Sequence, residues 1–226
     1  HRDLHRLIRR QRQMCIRESP YTNRKFLGFV DYALDVADLI VGVGDIIDRV
    51  RCTEKEIMES KTGPLLLKAL KKLILSGKCY LLKGNHDPEL SKTIQKLLGV
   101  SCETPSHFLL GNVLFTHGHQ FDSLCGWWPW RFLRKIAPWF FKPPSHWKQY
   151  NREKWHKSIG MIYSNVFDFA ERNISHTTIV MGHTHYASIM EIENGQLIVN
   201  CGDWLDSCTY IELDTKNGEC NFKKWE

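Results

Sequence analysis

Ala37-Asp38-Leu39-Ile40-Val41-Gly42-Val43-Gly44-Asp45-Ile46-Ile47-Asp48 is a short apolar run closed by two aspartates. Leu39 to Val43 is apolar at consecutive positions and rich in β-branched side chains. That pattern predicts a strand buried on both faces. The run stops at Gly44, and a carboxylate follows at once. Open α/β sheets place their ligands beyond the carboxyl ends of strands, so Asp45 stands at a candidate site. Three later segments repeat the design: Tyr80-Leu81-Leu82-Lys83 before Gly84-Asn85-His86-Asp87, Val113-Leu114-Phe115-Thr116 before His117-Gly118-His119, and Thr178-Ile179-Val180-Met181 before Gly182-His183-Thr184-His185. Four apolar runs each end in Asp, Asn or His.

A chain of 226 residues is long enough for one full core, and residues 1–226 are read as a single domain. The net charge of +6 suits an anionic substrate or surface without requiring one. No uncharged apolar run reaches the length of a membrane span, and no signal peptide is visible. The eight cysteines are scattered, with no Cys-x-x-Cys, which predicts reduced thiols in a cytoplasmic protein.

Phe26, Phe29, Val30, Ala33 and Leu34 fall on one face of a predicted helix, and Leu65 to Ile74 forms a second. Residues 79–83 read as a strand, and a helix opens at Pro88. Phe108–Leu110 and 113–116 form a hairpin through Gly111-Asn112. Short strands follow over 177–181, 187–192, 197–200, 208–213 and 221–225, with Asn194-Gly195 as a turn. Strand, helix, strand, helix and then a run of β describe a layered α/β (α+β) sandwich.

The chemistry lies in the four clusters. Asp45, Asn85, His117, His183 and His185 offer mixed oxygen and nitrogen donors, suited to Mn2+, Fe2+ or Zn2+. Two such ions about 3.5–4 Å apart can bind both oxygens of a phosphate and bring a bridging water towards pKa ~7. The resulting hydroxide would attack phosphorus in line. His86 is a candidate proton donor to the leaving oxygen, with Asp87 placed to orient its ring. A dinucleotide fingerprint from Gly42-Val43-Gly44 is weak, because Ile47 occupies the third glycine position. A lone Gly-Asp or a lone His usually has no such role; four clusters at four strand ends outweigh that reading.

The ordered set Gly44-Asp45-Ile46-Ile47-Asp48, Gly84-Asn85-His86-Asp87, His117-Gly118-His119 and Gly182-His183-Thr184-His185 resembles motifs two to five of the calcineurin-like metallophosphoesterases. The resemblance implies a four-layer β-sandwich flanked by helices, with two divalent metals at the strand ends. Mn2+ is the ion it favours, with Fe2+, Zn2+ and Mg2+ as alternatives. It implies that Asp45 bridges the metals, that Asn85, His117 and His183 bind the second, and that His185 binds the first. His86 becomes the catalytic acid, and Asp48 and Asp87 support the ligands. Within the family, His117-Gly118-His119-Gln120-Phe121-Asp122 and Val199-Asn200-Cys201-Gly202-Asp203-Trp204 resemble proteins related to UDP-2,3-diacylglucosamine pyrophosphatases. His86 and His119 depart from the pattern of that group, which carries Arg and Asp there. The implied activity is hydrolysis of a phosphoester or pyrophosphate bond on a phosphorylated small molecule or lipid-linked substrate. A binding scaffold with an incomplete first metal site, and a nucleic-acid phosphodiesterase, are the competing readings.

The family's first motif is Asp-x-His after a strand. Asp3-Leu4-His5 has those letters, but no strand precedes it and the following residues look helical. Either Asp3 and His5 are ligands of the first metal, or the motif lies upstream of His1. Between motifs four and five, residues 123–173 read as a helical lid, within which Ile159 to Ala170 is a regular helix with Met161, Ile162, Val166 and Phe169 on its apolar side. It holds six of the eight tryptophans, among them Trp127, Trp128 and Trp130, interleaved with Arg131 and Arg134. Tryptophans beside cations suit a membrane interface or an acyl pocket, which would place the protein peripherally at the inner membrane. Self-packing aromatics and nucleic-acid stacking fit the same composition.

Overall fold

The computed structural model describes residues 20–50, 52–123, 147–204, 207–214 and 218–226, with side chains described from 25 in the first helix and from 159 in the last. Asp3, His5, Trp127, Trp128, Trp130, Arg131 and Arg134 lie outside the described residues. The elements in order are α1 (Pro20–Val36), β1 (Ile40–Gly42), α2 (Glu54–Glu59), α3 (Gly63–Leu75), β2 (Cys79–Leu81), α4 (Leu90–Leu98), β3 (His107–Leu110), β4 (Val113–Thr116), a 3-10 turn (His119–Phe121), α5 (Trp147–Arg172), β5 (Thr178–Met181), β6 (Ser188–Glu191), β7 (Leu197–Asn200), β8 (Thr209–Leu213) and β9 (Cys220–Lys224).

Five strands form the main sheet in the order β3-β4-β5-β7-β6. Its centre is parallel: β5 runs with β4 on one side and with β7 on the other. The outer strands β3 and β6 are antiparallel to their neighbours. β1 pairs with β2 in parallel, Ile40 opposite Cys79, and β8 pairs with β9 antiparallel.

Side chains alternate across the sheet, and both sides are covered. Leu114, Ile179, Met181 and Ile198 point towards α5, where they meet Ile162, Tyr163, Val166 and Ala170. Val113, Phe115, Val180 and Val199 point the other way, onto Leu82 and the partly buried Val41, Val43, Ile211 and Leu213. Two covered faces favour apolar side chains between the strand ends, so the central strands read as near-continuous apolar runs. Beyond the short strand pairs lies a second helical layer. Val30 of α1 and Ala69 and Leu73 of α3 pack on Ile40 and Cys79, and α2, α3 and α4 close over Leu81. Helix, sheet, sheet, helix is the four-layer sandwich expected.

The fold departs from the sequence reading in four places. The connection after Asp48 contains α2, which is opened by a capping box. Thr53 Oγ1 accepts from the Glu56 N–H at 3.2 Å, and Glu56 Oε2 accepts from the Thr53 N–H at 2.8 Å. The Thr-x-x-Glu signal was present in the sequence. α4 begins at Leu90, not Pro88, because the Asp87 carboxylate is tied into the preceding loop. β1 is half-buried along its length rather than enclosed. Finally, the apolar side read for the regular helix within 123–173, at Met161, Ile162, Val166 and Phe169, is rotated. Ile162, Tyr163, Val166 and Ala170 recur at helical spacing and bury against the sheet, while Met161 is exposed.

α1 docks through aromatic rings. Phe29 lies 4.3 Å from the Trp204 ring and 4.9 Å from Tyr210, and Tyr32 donates to Glu212 at 3.0 Å. Cys79, Cys102, Cys201 and Cys220 are reduced. Burial, with help from a neighbouring thiol, pushes Cys79 and Cys201 up to about 12, so both are unreactive. No described helix is long and apolar enough to cross a membrane.

Ile198 of β7 is wholly buried, whereas Ile189 of β6 is partly exposed. Ile198→Ala is expected to cost about 2–5 kcal/mol and Ile189→Ala well under half of that, as read by urea denaturation.

Candidate metal centre

Each cluster begins where its strand stops. Val43-Gly44-Asp45 leaves β1, 84–87 follows β2, 117–122 follows β4, and 182–185 follows β5. Two glycines permit these loops to touch. Gly44 has φ +94°, and a Cβ there would fall 2.5 Å from His117 Nδ1. A Cβ on Gly84 would fall 2.1 Å from Asp45 Oδ1. Either substitution would drive the loops apart. Only four non-glycine residues among those described have positive φ, and three are site residues: Asp45, His183 and His185. Strained backbone of this kind persists where surrounding contacts enforce it.

Three candidate ligands meet directly. His117 Nδ1 lies 2.7 Å from the Val43 carbonyl, which can only accept, so Nδ1 carries the proton. Nε2 is thereby left with its lone pair, and it faces Asn85 Oδ1 at 3.0 Å and Asp45 Oδ2 at 3.2 Å. Three lone-pair atoms converging on one point are reconciled by a cation. The donor set therefore fits a divalent metal, with an asparagine oxygen completing it. Among the described residues no three His, Cys, Asp or Glu side chains form a cage by themselves. Burial raises the Asp45 pKa, but its contacts with His117 and His86, the His86 N–H among them, outweigh it. The net effect holds the carboxyl well below the usual range, and Asp45 is ionised.

The structure reassigns the partner of His86. Its Nδ1 lies 3.0 Å from Asp48 Oδ1, so Asp48, not Asp87, orients the ring. Asp87 is wholly buried and ties two loops together. Its Oδ1 accepts from the Gly84 N–H at 2.6 Å, and its Oδ2 accepts from Ile46 and Ile47 at 2.6 and 3.1 Å. Burial is the largest influence on its pKa and, with the Asp45 charge, raises it against those three donors. The His86 N–H in turn donates to Asp45 Oδ1 at 2.8 Å, so motif three holds the aspartate of motif two.

The motif-five loop is held from behind. Asn200, wholly buried at the end of β7, donates to the Gly182 carbonyl at 2.7 Å and to Thr184 Oγ1 at 2.9 Å. His183 then lies with its ring 5.2 Å from that of His117. Burial lowers its pKa by more than neighbouring carboxylates raise it, which favours the neutral, ligating form. His185 is exposed, within electrostatic reach of Asp203, Asp45, His117 and His86. The His119 ring lies 5.3 Å from His117 and 6.4 Å from His183.

Two residues quoted in the sequence only within longer resembling stretches, without a role of their own, take part. Asn200 ends an apolar strand, and its neighbours do not say which loop it bonds. Asp122 Oδ2 lies 3.1 Å from His183 Nε2. Its signal was a carboxylate five residues beyond His117 in a loop already singled out.

The model of the calcineurin-like phosphoesterases matches residues 3–187. A UDP-2,3-diacylglucosamine hydrolase from Haemophilus ducreyi is 26% identical over 227 aligned positions, covering 88% of this chain and 92% of that protein. Among solved structures, an archaeal phosphodiesterase gives a TM-score of 0.46 at 15% identity, over 89% of this chain and 94% of that one. TT1561 of Thermus thermophilus gives 0.46 at 11% identity, over 91% and 93%. Because the family match spans most of the chain and takes in all four motif loops, the protein belongs to the calcineurin-like phosphoesterases, hydrolases of phosphoester bonds that generally use divalent metals.

Proposed function

We propose that this chain cleaves a phosphoester or pyrophosphate bond with two divalent metal ions, Mn2+ foremost, on a lipid-linked or nucleotide-sugar substrate such as UDP-2,3-diacylglucosamine. The convergence of His117 Nε2, Asp45 Oδ2 and Asn85 Oδ1 carries the metal reading. The Haemophilus ducreyi relative supports the substrate class. Asp45, Asn85, His117 and His183 would hold one ion, and Asp45 and His185 contribute to the other. Asp3 and His5, or an Asp-x-His upstream of His1, would supply the remaining ligands. Bound there, divalent cations neutralise phosphoryl charge and acidify water.

The chain's own residues supply the rest. Asp45 is ionised and held by the His86 N–H, so its charge is in place before any ligand arrives. Asp48 fixes His86 by Nδ1, which makes Nε2 the candidate proton-delivering atom. Asp87 keeps its oxygens on backbone N–H groups and sets the distance between the loops of motifs two and three.

Purified protein should contain bound Mn2+ or a related ion by elemental analysis and should hydrolyse UDP-2,3-diacylglucosamine. A metal-containing preparation active only on small phosphomonoesters would overturn the substrate assignment. Asp45→Ala is expected to lower metal content and abolish turnover while leaving the circular dichroism spectrum unchanged. His86→Ala should retain its metal and lose about 10²–10⁴-fold in kcat on alkyl phosphodiesters. It should lose far less on a p-nitrophenyl ester, whose leaving group needs no proton. Equal losses on both substrates would remove His86 from the acid role.

A further inference from the structure

We infer that Asp122 is a positioning residue of the metal centre, holding His183 in the tautomer that presents Nδ1 as its donor atom. The inference rests on the metal reading above and goes beyond the motif residues.

A carboxylate oxygen 3.1 Å from His183 Nε2 accepts a hydrogen bond, so Nε2 carries the proton and the lone pair sits on Nδ1. The arrangement mirrors that of His117. There Nδ1–H is spent on the Val43 carbonyl, and Nε2 carries the lone pair. The two imidazoles, 5.2 Å apart, are thus fixed in opposite tautomers by partners outside the ligand set. A carboxylate behind a ligating histidine both orients the ring and raises its basicity. The His183 and Asp122 side chains are 11% and 16% exposed, so water screens this pair only weakly.

Asp122 is placed by parts of the fold that lie outside the metal motifs. Gly118, at φ +101°, turns the chain out of β4 into the 3-10 turn, and the Asp122 N–H closes that turn on the His119 carbonyl at 3.2 Å. Phe121 is buried against α5, its ring edge-on to Phe169 at 5.3 Å. Asn165 of α5 donates to the Phe121 carbonyl at 2.8 Å. The preceding residue is therefore clamped on both its side chain and its carbonyl, and Asp122 projects from the clamp onto His183.

The test is calorimetric titration of Mn2+ into the metal-stripped full chain and its Asp122→Ala and Asp122→Asn variants, each verified as folded by circular dichroism. Asp122→Ala should bind the ion controlled by His183 about 10–100-fold more weakly. Asp122→Asn keeps an acceptor for Nε2–H but loses the charge, and it should show a smaller loss in the same direction. Titrated with Co2+, the variants should reach the parent's visible spectrum at saturation, because the ligand count is unchanged. Parental affinity in a folded Asp122→Ala overturns the inference. So does a saturated Co2+ spectrum of altered coordination number, which would make Asp122 a ligand itself. If Asp122→Ala does not fold, Asp122→Asn carries the test, and parental affinity in that variant overturns it. A parent chain that binds neither ion would instead refute the metal reading, so the two failures are distinguishable.

Discussion

The hydrogen bond from His117 Nδ1 to the Val43 carbonyl is the contact on which the centre depends. It joins the end of β4 to the end of β1, strands from different sheets. It also decides which imidazole nitrogen remains for Asp45 and Asn85. Gly44 is needed because the ring passes where a Cβ would stand, and the aspartate that follows is carried into left-handed backbone. A hydrogen bond to a carbonyl is thus a geometric constraint, an electronic one and a sequence constraint at the same position.

Two carboxylates on adjoining loops, Asp45 half-buried and Asp87 wholly buried, behave oppositely. Asp45 has an imidazole beside it and stays charged, while Asp87 has backbone N–H groups and the Asp45 charge, and its pKa rises. The division follows from partners rather than from burial, which acts on both in the same direction. One aspartate is kept as an anion facing the loops' common opening, and the other serves as a knot between chain segments.

The four strand ends were legible because each couples a local pattern to a local chemistry: an apolar run, then donors at its end. Pair partners were less legible. Asp87 follows His86 directly, yet the ring is met by Asp48, because Ile46, Ile47 and Gly84 present three N–H groups to Asp87 first. The apolar side of α5 was legible at Ile162 and Val166, but Tyr163 and Ala170, which complete the face turned to the sheet, were not. Asn200 stands in a stretch quoted for its resemblance, but its role could not be read there, since it bonds a loop distant in sequence.

The donor atoms of this centre come from loops scattered over most of the chain, and the loops are brought together by the buried layers between them. An unfolded chain therefore holds no such site. Any cation that occupies it binds the native state alone and pulls the folding equilibrium with it, by RT ln(1 + [M]/Kd). Thermal resistance and metal occupancy then become one linked variable. A chelator would then weaken the sandwich as well, and a cation bound there would double as a fastener of the two sheets.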